Sequence, residues 1–434
     1  MTNTIEASYS AYQKARTVLP GGSSRVTTDR TPIPIFMESG NGAHLFDVDG
    51  NRYLDLNNNF TTLIHGHNFA PINHAITAQL QAGACFANPT RSESALAEML
   101  CERVPAAETV RFVSTGTEAV MFAIRAARAI TGRTMIAKFE GAYHGAYDWA
   151  AISQASAPEN WGDSEPVPVA PDASIPASVL DEVLVLPFND AVTTRDLLQR
   201  FGGKIACLLV DLVPSRAGLL EPKPEFLEAM ADAAQKHGFL IVDDEVLNFR
   251  QGFHGAAAGY GLVPDLVVLG KIIGGGLPIG AIAGRHEYMA AFDSSEGPPL
   301  VSQGGTFAAN PLSLAAGIAS LTALDVTAFE TLKALGDALR RQLREAIERR
   351  RAPFSVSGSA SLFRIHPKAE APSTYRAAFQ TSAERSLMKT LTKRLLDSGV
   401  FFSASAVSSL STPMTADDLR KIVEAFERFL DRDL

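Results

Sequence analysis

Val267-Val268-Leu269-Gly270-Lys271-Ile272-Ile273-Gly274-Gly275-Gly276 is the stretch on which the reading of this chain turns. An apolar run of strand length ends on a single ammonium. The three glycines behind it let the backbone come close to whatever that ammonium touches. An amine at the end of a buried strand loses water, which disfavours its charged form and frees a nucleophilic lone pair near neutral pH. A lysine whose head merely snorkels to solvent gives the same local pattern. Three passages upstream bear on the choice.

Asp243-Asp244-Glu245-Val246 closes the apolar run Phe239 to Val242. Acids at the mouth of a buried strand are costly unless a cation meets one of them. A protonated pyridine nitrogen is such a cation, and an aspartate beside it keeps the ring an electron sink. A metal ion would also serve, but no histidine cluster lies nearby in the sequence to complete its shell. Asp244 and Lys271 are one crossover unit apart, so neighbouring strand ends can carry them. Tyr143-His144-Gly145 follows the strand Ile136 to Phe139, a place where an aromatic ring stacks on a planar ligand or simply packs on the surface. Ser114-Thr115-Gly116-Thr117 stands between the strand Val110 to Val113 and a helix from about Thr117 to Ile130 that Gly132 terminates. Its N–H groups and hydroxyls suit a phosphate, and they also suit an ordinary N-cap. Anion cradle, stacking aromatic, pyridinium carboxylate and strand-end lysine together fit one ligand, pyridoxal 5′-phosphate (PLP).

The 434 residues are enough for two domains, and 46% hydrophobic with 20% charged residues is the composition of a soluble globular protein. A net charge of −8 argues against a nucleic-acid partner. Arg349-Arg350-Arg351 reads as a solvated helix end. Cys85, Cys101 and Cys207 lack metal-ligand spacing and read as reduced thiols of a cytoplasmic protein. No signal peptide and no membrane-length apolar run is expected. His65 and His67 lack a third ligand in register, so they read as a turn and not as a metal site. Gly42 to Asp55 reads as a hairpin about an Asp-Gly-Asn turn. From there strands alternate with helices: Met135 to Phe139, Ile205 to Val210, Phe239 to Val242 and Leu266 to Leu269 are strands, and Pro224 to His237 a helix stopped by Gly238. The expectation is an α/β fold with a mostly parallel sheet covered on both faces. Beyond Pro311 a helix, Leu312 to Leu324, leads into a second unit. It contains a helix from Leu332 to Arg350, strands within Ser355 to Ile365, a helix at 380–398 and a last helix, Thr415 to Leu430, capped by Thr415-Ala416-Asp417-Asp418.

At these passages, and at Leu19-Pro20-Gly21-Gly22 and Gly305-Thr306-Phe307-Ala308-Ala309-Asn310-Pro311, the chain resembles the class III aminotransferases of the fold-type I PLP superfamily. Within them it is most similar to the branch of glutamate-1-semialdehyde aminomutases, which includes transaminases acting on β-amino acids. The resemblance runs from about Ala15 to Phe429. It implies a mostly parallel seven-stranded central sheet with flanking helices, plus a smaller α+β domain built from both termini: residues 1–65 and 313–434 around a large cofactor domain, 66–312. It implies that Lys271 carries PLP as a Schiff base and shuttles the proton, and that Asp244 pairs with the pyridine nitrogen. Tyr143 and Val246 flank the ring, and Thr115, Gly116 and Thr117 hold the phosphate. Thr306 would reach the same phosphate from a partner subunit, so a homodimer with shared sites is expected.

Departures from the aminomutase pattern bear on the substrate. Only Leu247 and Asn248 separate Val246 from Phe249, one residue fewer than in that pattern. Asp211-Leu212 replaces a Glu-Pro pair, and Phe402 to Ser409 offers no counterpart of a glutamate used there. These favour a transaminase working by a ping-pong mechanism between an amino acid or amine and a keto acid; the alternative is the 2,1-aminomutase. A dehydrogenase is disfavoured, because Gly274, Gly276 and Gly280 are followed by β-like residues where the dinucleotide fingerprint requires a helix. Arginine's fork suits a substrate carboxylate. Arg25 sits where β-amino-acid transaminases of this branch place such an arginine. Arg216, on the loop after Ile205 to Val210, and Arg250 each read as a second carboxylate clamp or as a surface charge paired with acids; the surface reading is the preferred one for Arg250.

Overall fold

A computed structural model describes residues 4–28, 32–403 and 407–434. The chain forms two compact units, Pro71–Glu330 with Pro372–Phe379, and Met1–Ala70 with Thr331–Ala371 and Gln380–Leu434. Residues 404–406, inside the stretch read above for a missing glutamate, lie outside the described residues.

The larger unit is built on a seven-stranded sheet whose strands, in chain order, are β1 (Thr109–Val113), β2 (Met135–Phe139), β3 (Val183–Leu186), β4 (Ile205–Val210), β5 (Leu240–Asp244), β6 (Leu266–Gly270) and β7 (Gly280–Gly284). Their order across the sheet is β1-β7-β6-β5-β4-β2-β3. Neighbours pair in parallel except β7, which runs antiparallel to both β1 and β6. The strands read as unbroken apolar runs because both faces are covered; all six residues of β4 are buried. On one face Cys207, Leu209, Val242 and Val268 pack with Ala119, Val120 and Ala123 of the helix Gly116–Thr131. On the other, Leu208, Val210 and Ile241 pack with Leu197, Leu198, Phe226 and Met230 of the helices Ala191–Phe201 and Pro224–His237. Gly132 and Gly238 end their helices in the left-handed conformation, each at φ 67°.

The glycine triplet after β6 serves packing within the fold. A Cβ on Gly274 would sit 2.5 Å from Ile279 Cγ2, and one on Gly275 would sit 2.4 Å from Ala316 O in the helix Pro311–Thr322. These two glycines thus make close approaches to the Ile279 side chain and to the Ala316 backbone of the chain itself.

In the smaller unit, Met37–Asn41, His44–Asp47 and Arg52–Asp55 form an antiparallel meander, and Val400–Phe401 adds a parallel edge. A second sheet joins Ser355–Ser357, Leu362–His366 and Ser408–Ser409. The last helix, Ala416–Asp433, carries the expected capping box between Thr415 and Asp418. Arg349 and Arg350 pair with Glu427, and Arg350 also with Asp431, so this basic cluster bridges two helices. The helix Glu6–Ala15 was not anticipated: only Ser8 is buried in it, so it has no apolar stripe to read.

Candidate active site

Every candidate cofactor residue of the larger unit except Thr306 lies at the carboxyl end of a sheet strand or in the turn that follows one. In a parallel sheet this edge gathers helix N-termini and loops, and ligands bind there. Thr115, after β1, caps the helix Gly116–Thr131, its hydroxyl accepting from Glu118 N at 3.1 Å. Glu118 returns a bond from Ser114 N at 2.6 Å. The N-cap reading and the anion reading coexist, because the N–H groups of Gly116 and Thr117 belong to a first turn without intrahelical acceptors. Three glycines shape the cradle. A Cβ on Gly116 would lie 2.9 Å from Val246 Cγ1, one on Gly280 would lie 2.1 Å from Thr115 O, and one on Gly145 would lie 2.4 Å from the Thr117 hydroxyl. The helix N-terminus therefore packs against both Val246 and the turn carrying Tyr143.

Asp244 ends β5 and is buried. Its Oδ2 accepts from His144 Nδ1 at 2.7 Å and its Oδ1 from Val246 N at 3.0 Å. Burial lowers the His144 pKa against the pull of the Asp244 charge, so the imidazole is neutral and donates through Nδ1. His144 was quoted in the sequence only as part of a motif; nothing in the pattern joined it to a residue a hundred positions away. Asp243 and Glu245 point elsewhere and line a small cavity with His254 and Val104. Burial holds Asp243 well above the usual carboxylate range and lifts Glu245 to about 7.

Lys271 follows β6, which pairs with β5 so that Asp244 stands opposite Val268. The lysine has φ 50°, a left-handed conformation that side chains rarely adopt. Burial pulls its pKa down to about 8, opposed by the charges of Asp244 and Asp211 and assisted by Arg250. Asp211, just past β4, accepts from Asn248 Nδ2 at 2.5 Å and from Val213 N at 3.0 Å. Burial, reinforced by Asp244, pushes it up to about 8. Arg250 corrects the surface assignment: it is 1% exposed, and burial draws it down to about 9. It stands in the single 3-10 turn Phe249–Gln251 that follows the buried helix Glu245–Asn248, which a sequence reading of an isolated arginine could not show.

Tyr143 is 42% exposed and offers a ring face, while the Arg216 guanidinium lies 4.0 Å from its centroid. Thr306 is exposed and lines a surface cleft of about 670 Å³ with Cys85, Asn88, Arg111 and Gln303. Arg25 belongs to the smaller unit. There it donates to Asn59 Oδ1 at 2.8 Å and lies 5.8 Å from the Phe60 ring centroid, at a cavity of about 250 Å³ lined by Ile35, Met37, Leu396 and Phe402. Asn58, Asn59, Phe60 and Thr61 all have positive φ, between 48° and 74°. Four such residues in a row are strained by roughly 1–2 kcal/mol each. Bonds from Phe60 N to Asn57 Oδ1 and from Asn58 Nδ2 to Ser409 O hold the turn.

An amine whose charged form burial disfavours, a carboxylate with lone pairs to spare, a helix N-terminus and a half-exposed aromatic ring make a donor set that fits PLP. The sequence matches the family Aminotransferase class-III over residues 26–430. The chain belongs to the class-III aminotransferases. Among curated relatives, the glutamate-1-semialdehyde 2,1-aminomutase 2 of Lysinibacillus sphaericus is 36% identical, covering 99% of this chain and 98% of its own. Among solved structures, an omega-transaminase from Sphaerobacter thermophilus is 40% identical with a TM-score of 0.95, covering 98% of this chain and 97% of that one. A β-phenylalanine aminotransferase from Variovorax paradoxus is 33% identical with a TM-score of 0.88, covering 98% and 94%. This class-III aminotransferase thus has the fold-type I architecture and is a PLP-dependent enzyme.

Proposed function

We propose that this class-III aminotransferase is a transaminase that takes a β-amino acid as donor and a keto acid as acceptor in a ping-pong cycle. PLP, when bound, supplies an aldehyde and an electron-withdrawing ring. The chain's own groups do the rest. Lys271 holds the cofactor between turnovers and, once displaced by substrate, its Nζ takes the Cα proton. Asp244, steadied by His144, holds a proton on the pyridine nitrogen. Tyr143 and Val246 bracket the ring, and Thr115, Gly116 and Thr117 seat the phosphate. The observation that carries this reading is the pair of adjacent strand ends bearing Asp244 and Lys271, one oriented by a buried neutral imidazole and the other with its amine pulled toward neutrality.

Arg25 is our candidate for the substrate carboxylate. The fork beside Phe60, opening on an apolar cavity, suits a carboxylate attached to a bulky apolar side chain. The likeness to the β-phenylalanine aminotransferase supports this, and Arg216 is the second candidate. We further propose a cytoplasmic homodimer with shared sites, in which Thr306 reaches the partner's phosphate. The exposed Phe307 and Leu300 beside it and the three free cysteines support that reading. A second reading, the 2,1-aminomutase, is favoured by the names of the curated relatives. Stoichiometry decides between the two. We expect consumption of one keto acid per amino donor deaminated, with bleaching of the visible band by β-amino acids and by the amino acid that matches the acceptor; turnover without an acceptor would establish the mutase. Arg25→Ala is expected to raise KM for carboxylate donors while leaving simple amines unaffected.

A further inference from the structure

Lys138 lies inside β2 and is wholly buried. Its Nζ donates to three backbone carbonyls, Ala142 O at 3.0 Å, Ala150 O at 2.8 Å and Ile152 O at 2.5 Å. All three belong to the segment that leaves β2, turns through Tyr143, His144 and Gly145, and comes back along the helix Asp148–Ala151. One ammonium thus ties both limbs of the turn that carries the ring-stacking tyrosine and the Asp244-bound histidine. The outer side of the same turn is locked independently. Gly141 N donates to Ser153 O at 2.8 Å, Arg376 pairs with Glu140, and the Tyr375 ring fills the space that a Cβ on Gly141 would need.

We propose that Lys138 is a positioning residue for the cofactor: by holding the carbonyls of Ala142, Ala150 and Ile152 it sets where Tyr143 and His144 stand, and through them the His144–Asp244 bond. The inference rests on the roles given above to Tyr143 and Asp244. Three acceptors match the three protons of an ammonium, whereas a neutral amine can satisfy only two. Burial, with the Arg216 guanidinium, draws the group down to about 7, whereas hydrogen bonds to acceptor oxygens favour the charged form of an amine. Burial, with a smaller contribution from this cation, disfavours a charge on His144 and favours the neutral, donating imidazole.

The test compares the PLP-loaded wild type with Lys138→Met, which has no donor, and Lys138→Gln, which keeps two. Arg103→Met serves as control, because Arg103 also caps buried carbonyls, those of Leu321 and Leu324, but none in this turn. The readouts are the PLP dissociation constant from equilibrium dialysis and the pH midpoint of the visible absorbance of the bound cofactor. We expect PLP affinity to fall at least tenfold in the Met variant, less in the Gln variant, and the absorbance midpoint to shift in both. Arg103→Met should lose thermal stability with both readouts unchanged. Unaltered PLP affinity and midpoint in Lys138→Met overturn the proposal, as does an equal change in Arg103→Met. Failure of both Lys138 variants to fold also overturns it, since Lys138 would then be a core residue and not a positioning one. A wild type that takes no PLP on Lys271 is a different failure, that of the site itself.

Discussion

Cofactor-stripped protein offers a direct measure of what burial does to Lys271. The neutral amine is the form that attacks an aldehyde, so the rate of PLP capture follows its fraction. With the pKa drawn from 10.5 to about 8, the deprotonated share at pH 7 is about 10%, against about 0.03% for an ordinary lysine, a gain of roughly 300-fold. The sign is set by the direction of the shift. Capture accelerates about tenfold per pH unit below the midpoint and flattens above about 8, where an unperturbed lysine would keep accelerating for two further units. The assay is stopped-flow absorbance after mixing with PLP between pH 6 and pH 10, each rate divided by that of a free lysine analogue taken per mole of its neutral amine, which removes the cofactor's own titration and leaves that of Lys271. Charge changes near the amine move the midpoint in opposite directions. Arg250→Met removes a cation that lowers the Lys271 pKa, so the midpoint rises; Asp244→Asn removes an anion that raises it, so the midpoint falls. Asp211→Asn should lower it too, by less than Asp244→Asn. A capture rate that climbs in step with hydroxide past pH 9.5 refutes the argument that the site desolvates this amine.

Three further outcomes follow from single contacts. His144→Phe removes the donor on Asp244 Oδ2, a charge-assisted bond worth about 1.5–3 kcal/mol, and should weaken PLP retention roughly 10- to 100-fold by equilibrium dialysis. Gly116→Ala sets a methyl 2.9 Å from Val246 Cγ1 and should weaken PLP retention, whereas Gly132→Ala, with nothing near its Cβ but φ 67°, should lower only the melting temperature, by about 1 kcal/mol of stability. Arg340→Met orphans the buried carbonyls of Ala360 and Leu362, each bonded at 2.7 Å, and should cost about 2–5 kcal/mol in urea unfolding without changing the PLP spectrum.

The residues that could be read from the sequence share a property: each is a polar group out of place in its local pattern. Lys271 after Leu266 to Leu269 and Asp244 after Phe239 to Val242 interrupt apolar runs, and their separation of one crossover predicted the neighbouring strands that β5 and β6 turn out to be. Strand β7 was half legible, as β-like residues after the glycines. Its antiparallel insertion between β1 and β6 was not, because strand order depends on pairings with residues more than 150 positions away. Pro372–Phe379 could not be assigned to the larger unit, since the contacts of Tyr375 and Arg376 with residues 140–163 leave no trace in local composition. Lys138 shows the limit most clearly. In Met135-Ile136-Ala137-Lys138-Phe139 it is one polar residue in an apolar run, and nothing in that pattern names the three carbonyl oxygens among which it is buried. Every residue has a carbonyl, so an acceptor of this kind has no letter in the sequence. A buried charge held by side chains can be inferred from its partners' identities, whereas one held by backbone becomes visible only once the chain has folded around it.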